Sequence, residues 1–294
     1  MTAVVVTGGS SGIGRATALH LAAYRYPVIA TVRREEDAEA LVAASGGAVA
    51  AVSMDVADAL SVERAASEIV GLLGDRGLFG LINNAGIVVP GPLEHFPIEE
   101  FQRQLDVNLT GVLRVTQAFL PQLRRARGRI VNVSSISGVV AFPMLGAYNA
   151  SKFGLEGMSD ALRMELRGVV DVSLVLPGPV KSRIWERARV DGERIWNAMP
   201  PIAHEQYDAL YEGMRREFDK SQRRAIPAEK VARVVRRALD ARRPKSRYRL
   251  DPTGVVRWLP DRWRDALALK VLSSRSRTVR PAPPRPGDSR APGA

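Results

Sequence analysis

The sequence contains no cysteine and only three histidines among its 294 residues. Without cysteine, disulfide bonds and thiolate metal sites are excluded. The histidines are His20, His95 and His204, and no two of them lie at the spacing of paired metal ligands. We therefore predict no bound metal.

Long apolar runs are also missing, although 46% of the residues are hydrophobic. No run reaches the roughly 18 residues that a membrane span needs. The first apolar run begins at Ala3, which leaves no room for a secretory signal. We therefore predict a cytoplasmic protein, whose length and apolar content suit one large α/β domain.

Positive charge is abundant, with a formal net charge of +12. From Val255 to the C-terminus, nine Lys or Arg stand against three Asp, and this excess of six is half of the total. The arginines lie among prolines, whereas a single-strand binder would interleave aromatic side chains. We predict a basic, proline-rich disordered tail at 275–294 and no nucleic-acid partner.

Short apolar, β-branched runs alternate with helical stretches, which is the pattern of a parallel sheet covered on both faces. The predicted strands are 3–7, 27–32, 48–53, 78–82, 129–133, 171–176 and 248–250. Residues 1–252 are therefore predicted to form a single α/β domain. 

Two segments depart from this alternation. Residues 181–226 contain charged helical stretches and aromatic side chains but no predicted strand, which is typical of a substrate-binding insert or lid. Residues 253–274 are predicted to form an amphipathic C-terminal extension, with a helix over 258–272.

A glycine-rich turn follows the first predicted strand and precedes a helix predicted from about Gly12 to Tyr24. Backbone N–H groups and the positive end of the helix dipole at such a turn suit a pyrophosphate. The spacing Thr-Gly-x-x-x-Gly-x-Gly differs from the commonest dinucleotide fingerprint. The residues predicted to contact a dinucleotide here are Thr7, Gly8, Ser10, Ser11, Gly12, Ile13 and Gly14.

The end of the second strand should meet the adenosine ribose. A carboxylate there would hold the 2′-hydroxyl of NAD, but the chain has Arg33 and Arg34. A guanidinium suits a 2′-phosphate, so NADP(H) is the predicted preference, with NAD(H) as the alternative. Solvated loop arginines are the competing interpretation.

Further cofactor contacts are predicted after the third and fourth strands. We expect Asp55 to accept the adenine amino group while Val56 packs on the ring. Asn84, Ala85 and Gly86 end the fourth strand, either as a simple turn or as the floor beneath the cofactor.

Tyr148 and Lys152 lie four residues apart, so they share one face of a helix. A tyrosine with its ordinary pKa near 10 is a poor base at pH 7, and a nearby ammonium favours the phenolate. We predict that Tyr148 exchanges a proton with a substrate oxygen to which Ser135 donates a hydrogen bond. Lys152 can also hold the nicotinamide ribose. Tyr-x-x-x-Lys alone is a common chance spacing. The prediction therefore rests on its combination with Ser135 and the glycine-rich turn.

Over roughly residues 3–250 the chain resembles the short-chain dehydrogenase/reductase family. The matching stretches, in the family's order, are Thr-Gly-Gly-Ser-Ser-Gly-Ile-Gly, Asn-Asn-Ala-Gly, Leu-Asp-Val-Asn-Leu-Thr-Gly, Val-Asn-Val-Ser-Ser, Tyr-Asn-Ala-Ser-Lys and Leu-Pro-Gly-Pro-Val. The resemblance implies a Rossmann-type, doubly wound, mostly parallel sheet of about seven strands with helices on both faces.

The resemblance also implies roles that the bare residues do not. Asn108 matches the family's catalytic asparagine, whose backbone carbonyl positions a water that leads protons from Lys152 to solvent. Ser135, rather than Ser134, matches the catalytic serine because it lies thirteen residues before Tyr148.

The segment that holds the nicotinamide carboxamide in the family corresponds here to Pro177, Gly178, Val180 and Ser182. The family more often has threonine where Ser182 stands. Because family members frequently form tetramers, partly through C-terminal contacts, a homo-oligomer (dimer or tetramer) is expected, although the basic extension departs from the family's pattern.

Apolar side chains dominate the segments expected to face the substrate, which favours a small lipophilic alcohol or carbonyl compound. Steroids, retinoids, fatty-acyl derivatives and xenobiotic ketones all fit. Packing of the insert onto the body is the competing interpretation, and the charged run that includes Arg187 is predicted to be solvated surface. The predicted substrate contacts are Ser135, Tyr148, Val88, Phe142, Leu145 and Trp185.

The main hypothesis is an NADP-preferring oxidoreductase that interconverts a lipophilic secondary alcohol and its ketone or aldehyde. One alternative is a catalytically silent, NAD(P)-sensing regulatory protein, although Tyr148 and Lys152 are both present. Another is a membrane-peripheral dehydrogenase active on lipid, steroid or retinoid, whose C-terminal helix and basic tail contact anionic lipid. Nucleotide-sugar epimerases and dehydratases need a larger C-terminal substrate domain than this chain offers.

Overall fold

Seven apolar runs form strands in the computed structural model, which describes residues 2–250 and residues 260, 262, 263, 266 and 269. The strands are β1 (Ala3–Thr7), β2 (Val28–Val32), β3 (Val49–Ser53), β4 (Leu78–Asn83), β5 (Arg129–Val133), β6 (Asp171–Leu176) and β7 (Arg247–Arg249). Neighbouring strands pair in parallel in the order β3-β2-β1-β4-β5-β6-β7. The predicted Rossmann-type fold is confirmed, and within the described residues its sheet is entirely parallel.

Helices join the strands because parallel strands need a crossover connection. The helices are α1 (Gly12–Ala23), α2 (Glu35–Ala44), α3 (Ala59–Leu73), α4 (Ile98–Leu105), α5 (Gly111–Ala126), α6 (Gly146–Glu165), α7 (Ile184–Asn197), α8 (Pro201–Arg224) and α9 (Ala228–Asp240). Residues of α1, α2 and α9 pack on one face of the sheet, and residues of α3, α5 and α6 pack on the other.

Each face of the sheet has its own apolar core, because successive side chains of a strand point to opposite faces. In β1, Val4 and Val6 join the core that contains Leu21 of α1, whereas Val5 joins the core that contains Phe119 of α5. Leu21 and Phe119 are fully buried. This double coverage leaves the carboxyl edge of the sheet as the place where loops and polar side chains converge.

The segment predicted to be an insert contains α7 and α8, and its two ends meet. Val180 and Ile226 form an isolated parallel bridge that closes the base of the segment. Within it, Trp196 stacks on Tyr211 with ring centroids 4.2 Å apart. These rings belong to a third apolar core, which also contains Val88 from the loop after β4. The insert is therefore packed on the body through a core distinct from those of the sheet.

The predicted C-terminal extension at 253–274, its helix over 258–272 and the tail at 275–294 lie almost wholly outside the described residues, so they stay predictions. None of the helices in the described part of the chain has the length and apolarity needed to cross a membrane.

Candidate active site

The carboxyl edge of the sheet contains a cavity of about 700 Å³. This volume lies within the usual range of sites for small molecules and cofactors. Cofactor contacts predicted from the sequence that line it are Gly8, Ser10, Ser11, Gly12, Ile13, Arg33, Asp55, Val56, Asn84, Ala85, Gly86, Tyr148, Lys152, Pro177, Gly178, Val180 and Ser182. Predicted substrate contacts that line it are Val88, Ser135, Phe142, Leu145, Tyr148 and Trp185.

The glycine turn bends sharply between β1 and α1. Gly8 and Gly12 have φ angles of 69° and 54°, a region that residues with a side chain rarely adopt. Gly14 serves packing instead, since a Cβ there would lie 2.2 Å from the carbonyl oxygen of Gly8. Of these three glycines, Gly8 and Gly12 line the cavity, and Gly14 lets α1 approach the turn.

Thr7 lies behind the cavity and fastens β1 to the loop after β4. Its hydroxyl accepts hydrogen bonds from the backbone N–H groups of Asn84 and Ala85, at 2.9 and 3.0 Å. The Asn84 side chain donates in return to the Thr7 carbonyl oxygen at 2.9 Å. Thr7 is only 1% exposed, so its role in the structure is to position Asn84 and Ala85 at the cavity wall.

Arg33 and Arg34 point to different surroundings. Arg33 lines the cavity, whereas Arg34 donates from Nε to a carboxylate oxygen of Asp37 at 3.0 Å. This hydrogen bond raises the pKa of Arg34 and helps to lower the pKa of Asp37. Of the two arginines predicted to meet a 2′-phosphate, Arg33 is therefore the one that faces the cavity.

The loop after β3 is held by its own hydrogen bonds. Asp55 accepts from the backbone N–H of Ala57 at 3.0 Å, and its own N–H donates to the Ser61 hydroxyl at 3.0 Å. The carbonyl of Val56 accepts from Arg114 at 2.7 Å. Asp55 and Val56 are thus presented to the cavity by a fixed backbone.

Tyr148 and Lys152 lie on α6, one turn apart, and Ser135 follows β5. Lys152 is 6% exposed and donates from Nζ to the carbonyl oxygen of Val133 at 3.0 Å. The same nitrogen lies 5.8 Å from the centre of the Tyr148 ring. The Ser135 hydroxyl accepts from the N–H of Ser137 at 3.1 Å, which holds its oxygen at the cavity wall.

Burial is the largest influence on the proton affinity of both α6 side chains. It raises the pKa of Tyr148, which the Ser135 hydroxyl lowers to a smaller extent. It lowers the pKa of Lys152 to about 8, against an opposing effect of the Glu156 carboxylate. Low polarity disfavours the charged form of each group. The predicted lowering of the Tyr148 pKa by Lys152 is therefore not seen: burial raises this pKa, and Ser135 is the group that opposes the rise.

Asn108 lies in a π-helical turn, Asp106–Thr110, between α4 and α5. Its side chain is fully buried, accepting from the N–H of Ile87 at 2.8 Å and donating to the Ile87 carbonyl at 2.9 Å. It also donates to the Ser151 hydroxyl on α6 at 3.0 Å. Such π-turns occur frequently at functional sites. The side chain ties a cavity loop to the helix of Tyr148, and the water-positioning role of the Asn108 carbonyl stays a prediction.

The sequence pattern does not predict a chain of buried, hydrogen-bonded polar side chains that lies beneath the site. Asn83 of β4 donates to Thr116 on α5 at 3.1 Å and to the side-chain oxygen of Asn132 on β5 at 2.9 Å. Asn132 donates to Ser159 on α6 at 2.8 Å. The available signal was one asparagine near the end of each of two neighbouring strands. Their hydrogen bond depends on the strand register that places Asn83 opposite Asn132, and the sequence does not specify that register.

Charged side chains in the cavity wall were also missed. Arg187, predicted to be solvated surface, is exposed but also lines the cavity. Glu217 of α8 lines it as well, and so does Arg103, which pairs with Asp191 of α7 at 3.2 Å. For Arg187 and Glu217, helical spacing within the insert was the available signal, whereas Arg103 lies outside the insert on α4.

A glycine turn beside a Ser, Tyr and Lys set, at the carboxyl edge of a parallel sheet, defines a Rossmann-type oxidoreductase. The sequence model of the short chain dehydrogenase family matches residues 2–192. The chain therefore belongs to the short-chain dehydrogenase/reductase family, and it is an oxidoreductase of the class that acts on CH–OH groups.

Three known proteins illustrate the similarity. An NADPH-dependent 3-dehydrocapnine reductase of Ornithobacterium rhinotracheale is 34% identical over 283 residues, covering 92% of this chain and 98% of the relative. Human retinol dehydrogenase 5 is 34% identical over 267 residues, covering 87% and 83%. A short-chain dehydrogenase/reductase from Burkholderia phymatum, solved in complex with NAD, has a TM-score of 0.75 at 27% identity, covering 87% and 90%.

Proposed function

We propose that this protein is an NADP(H)-preferring oxidoreductase that interconverts a lipophilic alcohol and the corresponding carbonyl compound, which is a ketone for a secondary alcohol and an aldehyde for a primary one. The observation that carries the proposal is that Ser135, Tyr148 and Lys152 line the same cavity as the glycine turn. Proton-transfer groups and a dinucleotide site in one cavity are what such a reaction requires.

The residues fit a dinucleotide. A Cβ at Gly12 would lie 2.6 Å from Cβ of Ser182, so only glycine keeps this part of the cavity open. The turn at the start of α1 would hold the pyrophosphate, and Asp55 with Val56 would hold the adenine. Asn84 to Gly86 and Pro177 to Ser182 would hold the nicotinamide half. When bound, the nicotinamide accepts or supplies the hydride.

The chain itself handles the proton and the charge on the substrate oxygen. Tyr148 donates its phenolic proton to a carbonyl oxygen in reduction and accepts a proton from the alcohol in oxidation. The Ser135 hydroxyl donates a hydrogen bond to the same oxygen and stabilises the charge that develops on it. Lys152 is a buried cation close to Tyr148, and Asn108 keeps α6 joined to the loop after β4.

The preference for NADP(H) rests on Arg33, which lines the cavity just after β2, where the adenosine ribose of such folds lies. The reductase relative is named as NADPH-dependent, which supports this choice. The structural neighbour was solved with NAD, so the family fold by itself accommodates either cofactor.

The substrate class rests on the apolar part of the cavity wall. Val88, Phe142, Leu145 and Trp185 face the cavity beside Tyr148. Side chains of this kind favour a lipophilic substrate, because they gain little from polar groups that must lose water. One relative is named for retinol, an apolar alcohol, which is consistent with this wall.

The test is a turnover screen that follows the absorbance of the reduced nicotinamide. Lipophilic ketones are assayed with NADPH and NADH, and the matching alcohols with NADP and NAD. We expect turnover with NADPH to exceed turnover with NADH. Silence across the panel, with cofactor binding intact by calorimetry, would favour the NAD(P)-sensing alternative and contradict the proposed reaction.

A further inference from the structure

Four arginines gather near one end of the cavity, and they come from two different parts of the chain. Arg33 and Arg34 follow β2, whereas Arg183 and Arg187 stand at the start of α7 in the insert. Asp37 on α2 is the carboxylate that pairs within this group, at 3.0 Å from Arg34 and 3.6 Å from Arg183. Asp37 pairs with only two of the four guanidinium groups, and Glu36 is the other carboxylate that acts on Arg34, so the group keeps a positive excess.

Arg33 and Arg187 are the two members that line the cavity. Neither guanidinium forms a hydrogen bond or ion pair with a residue in the described part of the chain. Burial, followed by the charges of Arg183 and Arg33, lowers the pKa of Arg187, and Asp37 opposes this effect. Arg187 is thus a cation beside a cavity and among other cations, and no carboxylate of the described residues forms an ion pair with it.

The start of α7 is attached to the glycine turn. The Arg183 guanidinium donates to the carbonyl oxygen of Ser10 at 3.1 Å. Ser182 lies against Gly12, where a Cβ would have no room. Arg187 is one helical turn beyond Arg183, so this attachment sets where its side chain can reach.

We propose that Arg187 of the insert and Arg33 after β2 together bind the 2′-phosphate of NADP(H), with Arg183 as the positioning residue. The inference rests on the proposed NADP(H) preference and extends it to the insert. A phosphate between two guanidinium groups accepts several charge-assisted hydrogen bonds. Its negative charge also offsets the positive excess of these four arginines. The same insert that covers the substrate region therefore takes part in selecting the cofactor.

The experiment measures binding without turnover. Calorimetric titrations compare adenosine 2′,5′-bisphosphate with 5′-AMP, a pair that differs only in the 2′-phosphate. In Arg187→Gln we expect the bisphosphate to bind about tenfold more weakly or worse, with 5′-AMP changed by less than about twofold. Arg33→Gln should give the same selective loss. Arg187→Lys, which keeps the charge, should retain part of the affinity.

The matched control is Arg189→Gln, two residues further along α7. Arg189 pairs with Asp219 of α8 at 2.6 Å with both side chains about half exposed, and it does not line the cavity. Such exposed ion pairs contribute little to stability. This variant should bind both nucleotides as the wild type does, which separates loss of the phosphate contact from loss of any arginine on α7.

Three results would overturn the inference. If Arg187→Gln lowered the affinity for both nucleotides equally, Arg187 would contact the 5′-phosphate or stabilise the fold instead of binding the 2′-phosphate. Unchanged affinities in Arg187→Gln with a selective loss in Arg33→Gln would leave the NADP(H) preference standing and remove only the role of the insert. A wild type that binds both nucleotides equally would contradict the proposed cofactor preference itself, while the Tyr148-dependent reaction would still be tested by turnover.

Discussion

At the residue scale, the chemistry of the site depends on how burial changes the proton affinities of Tyr148 and Lys152. Burial favours the protonated phenol and the neutral amine, and Glu156 partly restores the ammonium. A protonated phenol beside an apolar cavity is the form that donates to a carbonyl oxygen in the proposed reduction.

Tyr148→Phe removes the phenolic proton and keeps the ring. Turnover should fall by about 10²- to 10⁴-fold, the usual contribution of a general acid or base, while cofactor affinity stays close to that of the wild type. Steady-state kinetics and calorimetry measure the two quantities. Tyr26→Phe is the matched control, because Tyr26 forms its hydrogen bond with Asp240 and does not line the cavity. Unchanged turnover in Tyr148→Phe would exclude the acid–base role.

The pH dependence of reduction follows from Lys152. Its pKa is lowered to about 8, so the ammonium is present below that pH and is lost above it. We expect kcat/KM for ketone reduction to fall as the pH rises through about 8, whereas alcohol oxidation rises with pH because Tyr148 must lose its proton. Since Glu156 raises the pKa of Lys152, Glu156→Gln should move the fall to lower pH. A reduction profile that is flat across this range in both proteins would contradict the assignment.

Arg33→Asp tests the cofactor preference at a single residue. A carboxylate repels a 2′-phosphate and can accept from a ribose hydroxyl. NADPH should therefore bind at least about tenfold more weakly, and NADH should bind as well as before or better. Dissociation constants from fluorescence titration decide the matter. If both affinities moved together, Arg33 would not be discriminating between the cofactors.

At the element scale, β4, β5, α5 and α6 are joined by the buried chain of Thr116, Asn83, Asn132 and Ser159. This chain fixes the strands that precede Asn84 and Ser135 and the helix that bears Tyr148. The hydrogen bonds along this chain offset the cost of burying polar groups at this depth, although the side-chain oxygen of Asn83 has no partner among the described residues. The relative positions of the glycine turn, the serine and the tyrosine thus depend on it.

Asn132→Ala breaks this chain in its middle. It leaves the Asn83 and Ser159 groups without their shared partner, so the free energy of unfolding should fall by about 1–3 kcal/mol. Urea denaturation followed by circular dichroism measures the change. Asn197→Ala, at the exposed end of α7, is the control and should stay within about 0.5 kcal/mol of the wild type. Equal effects of the two changes would contradict a structural role for the buried chain.

At the scale of the whole molecule, the insert is packed through its own apolar core, while the two sheet faces have theirs. Stability need not be uniform in such an arrangement, since units with separate cores can open separately. The insert supplies Trp185, Arg187 and Glu217 to the cavity wall, so its opening would alter substrate and cofactor contacts without unfolding the sheet.

Trp196→Ala should loosen the insert selectively. Trp196 packs between Tyr211 and His204, at centroid distances of 4.2 and 4.5 Å, and truncation of a buried tryptophan costs about 3–5 kcal/mol. Hydrogen exchange should accelerate in α7 and α8 but not in β1, β4 or β5, and KM for the ketone should rise. Leu21→Ala, in a sheet core, should instead accelerate exchange across the sheet. Uniform acceleration in Trp196→Ala would show that insert and sheet unfold together.

The sequence predicted the strand boundaries to within about one residue, because the apolar runs are short and clearly bounded. β2 begins at Val28 rather than the predicted Pro27, since proline has no N–H to donate to a neighbouring strand. The predicted seventh strand is shifted by one residue, as β7 covers Arg247–Arg249. Local patterns are sufficient to place the strands because successive side chains of each strand point to opposite faces of the sheet, and both faces are apolar.

The directions in which side chains point were harder to predict from the sequence. Thr7 and Gly14 belong to the glycine motif, yet they support the turn from behind, and Arg34 turns to Asp37 although its neighbour Arg33 faces the cavity. Each of these outcomes depends on a partner from another part of the chain or on the rotation of one residue relative to the next. No spacing rule contains that information.

By itself, the sequence determined the fold class, the family and the set of chemical groups at the site, because periodicity, turn glycines and the Ser, Tyr and Lys spacing are local properties of the chain. Only the tertiary structure decided which groups share the cavity and what their surroundings do to them. The raised pKa of Tyr148, the lowered pKa of Lys152 and the position of both Arg187 and Arg33 in the wall of one cavity arise from burial and from the packing of segments distant in sequence. Desolvation and charge proximity depend on distances in space, which neighbours along the chain do not specify.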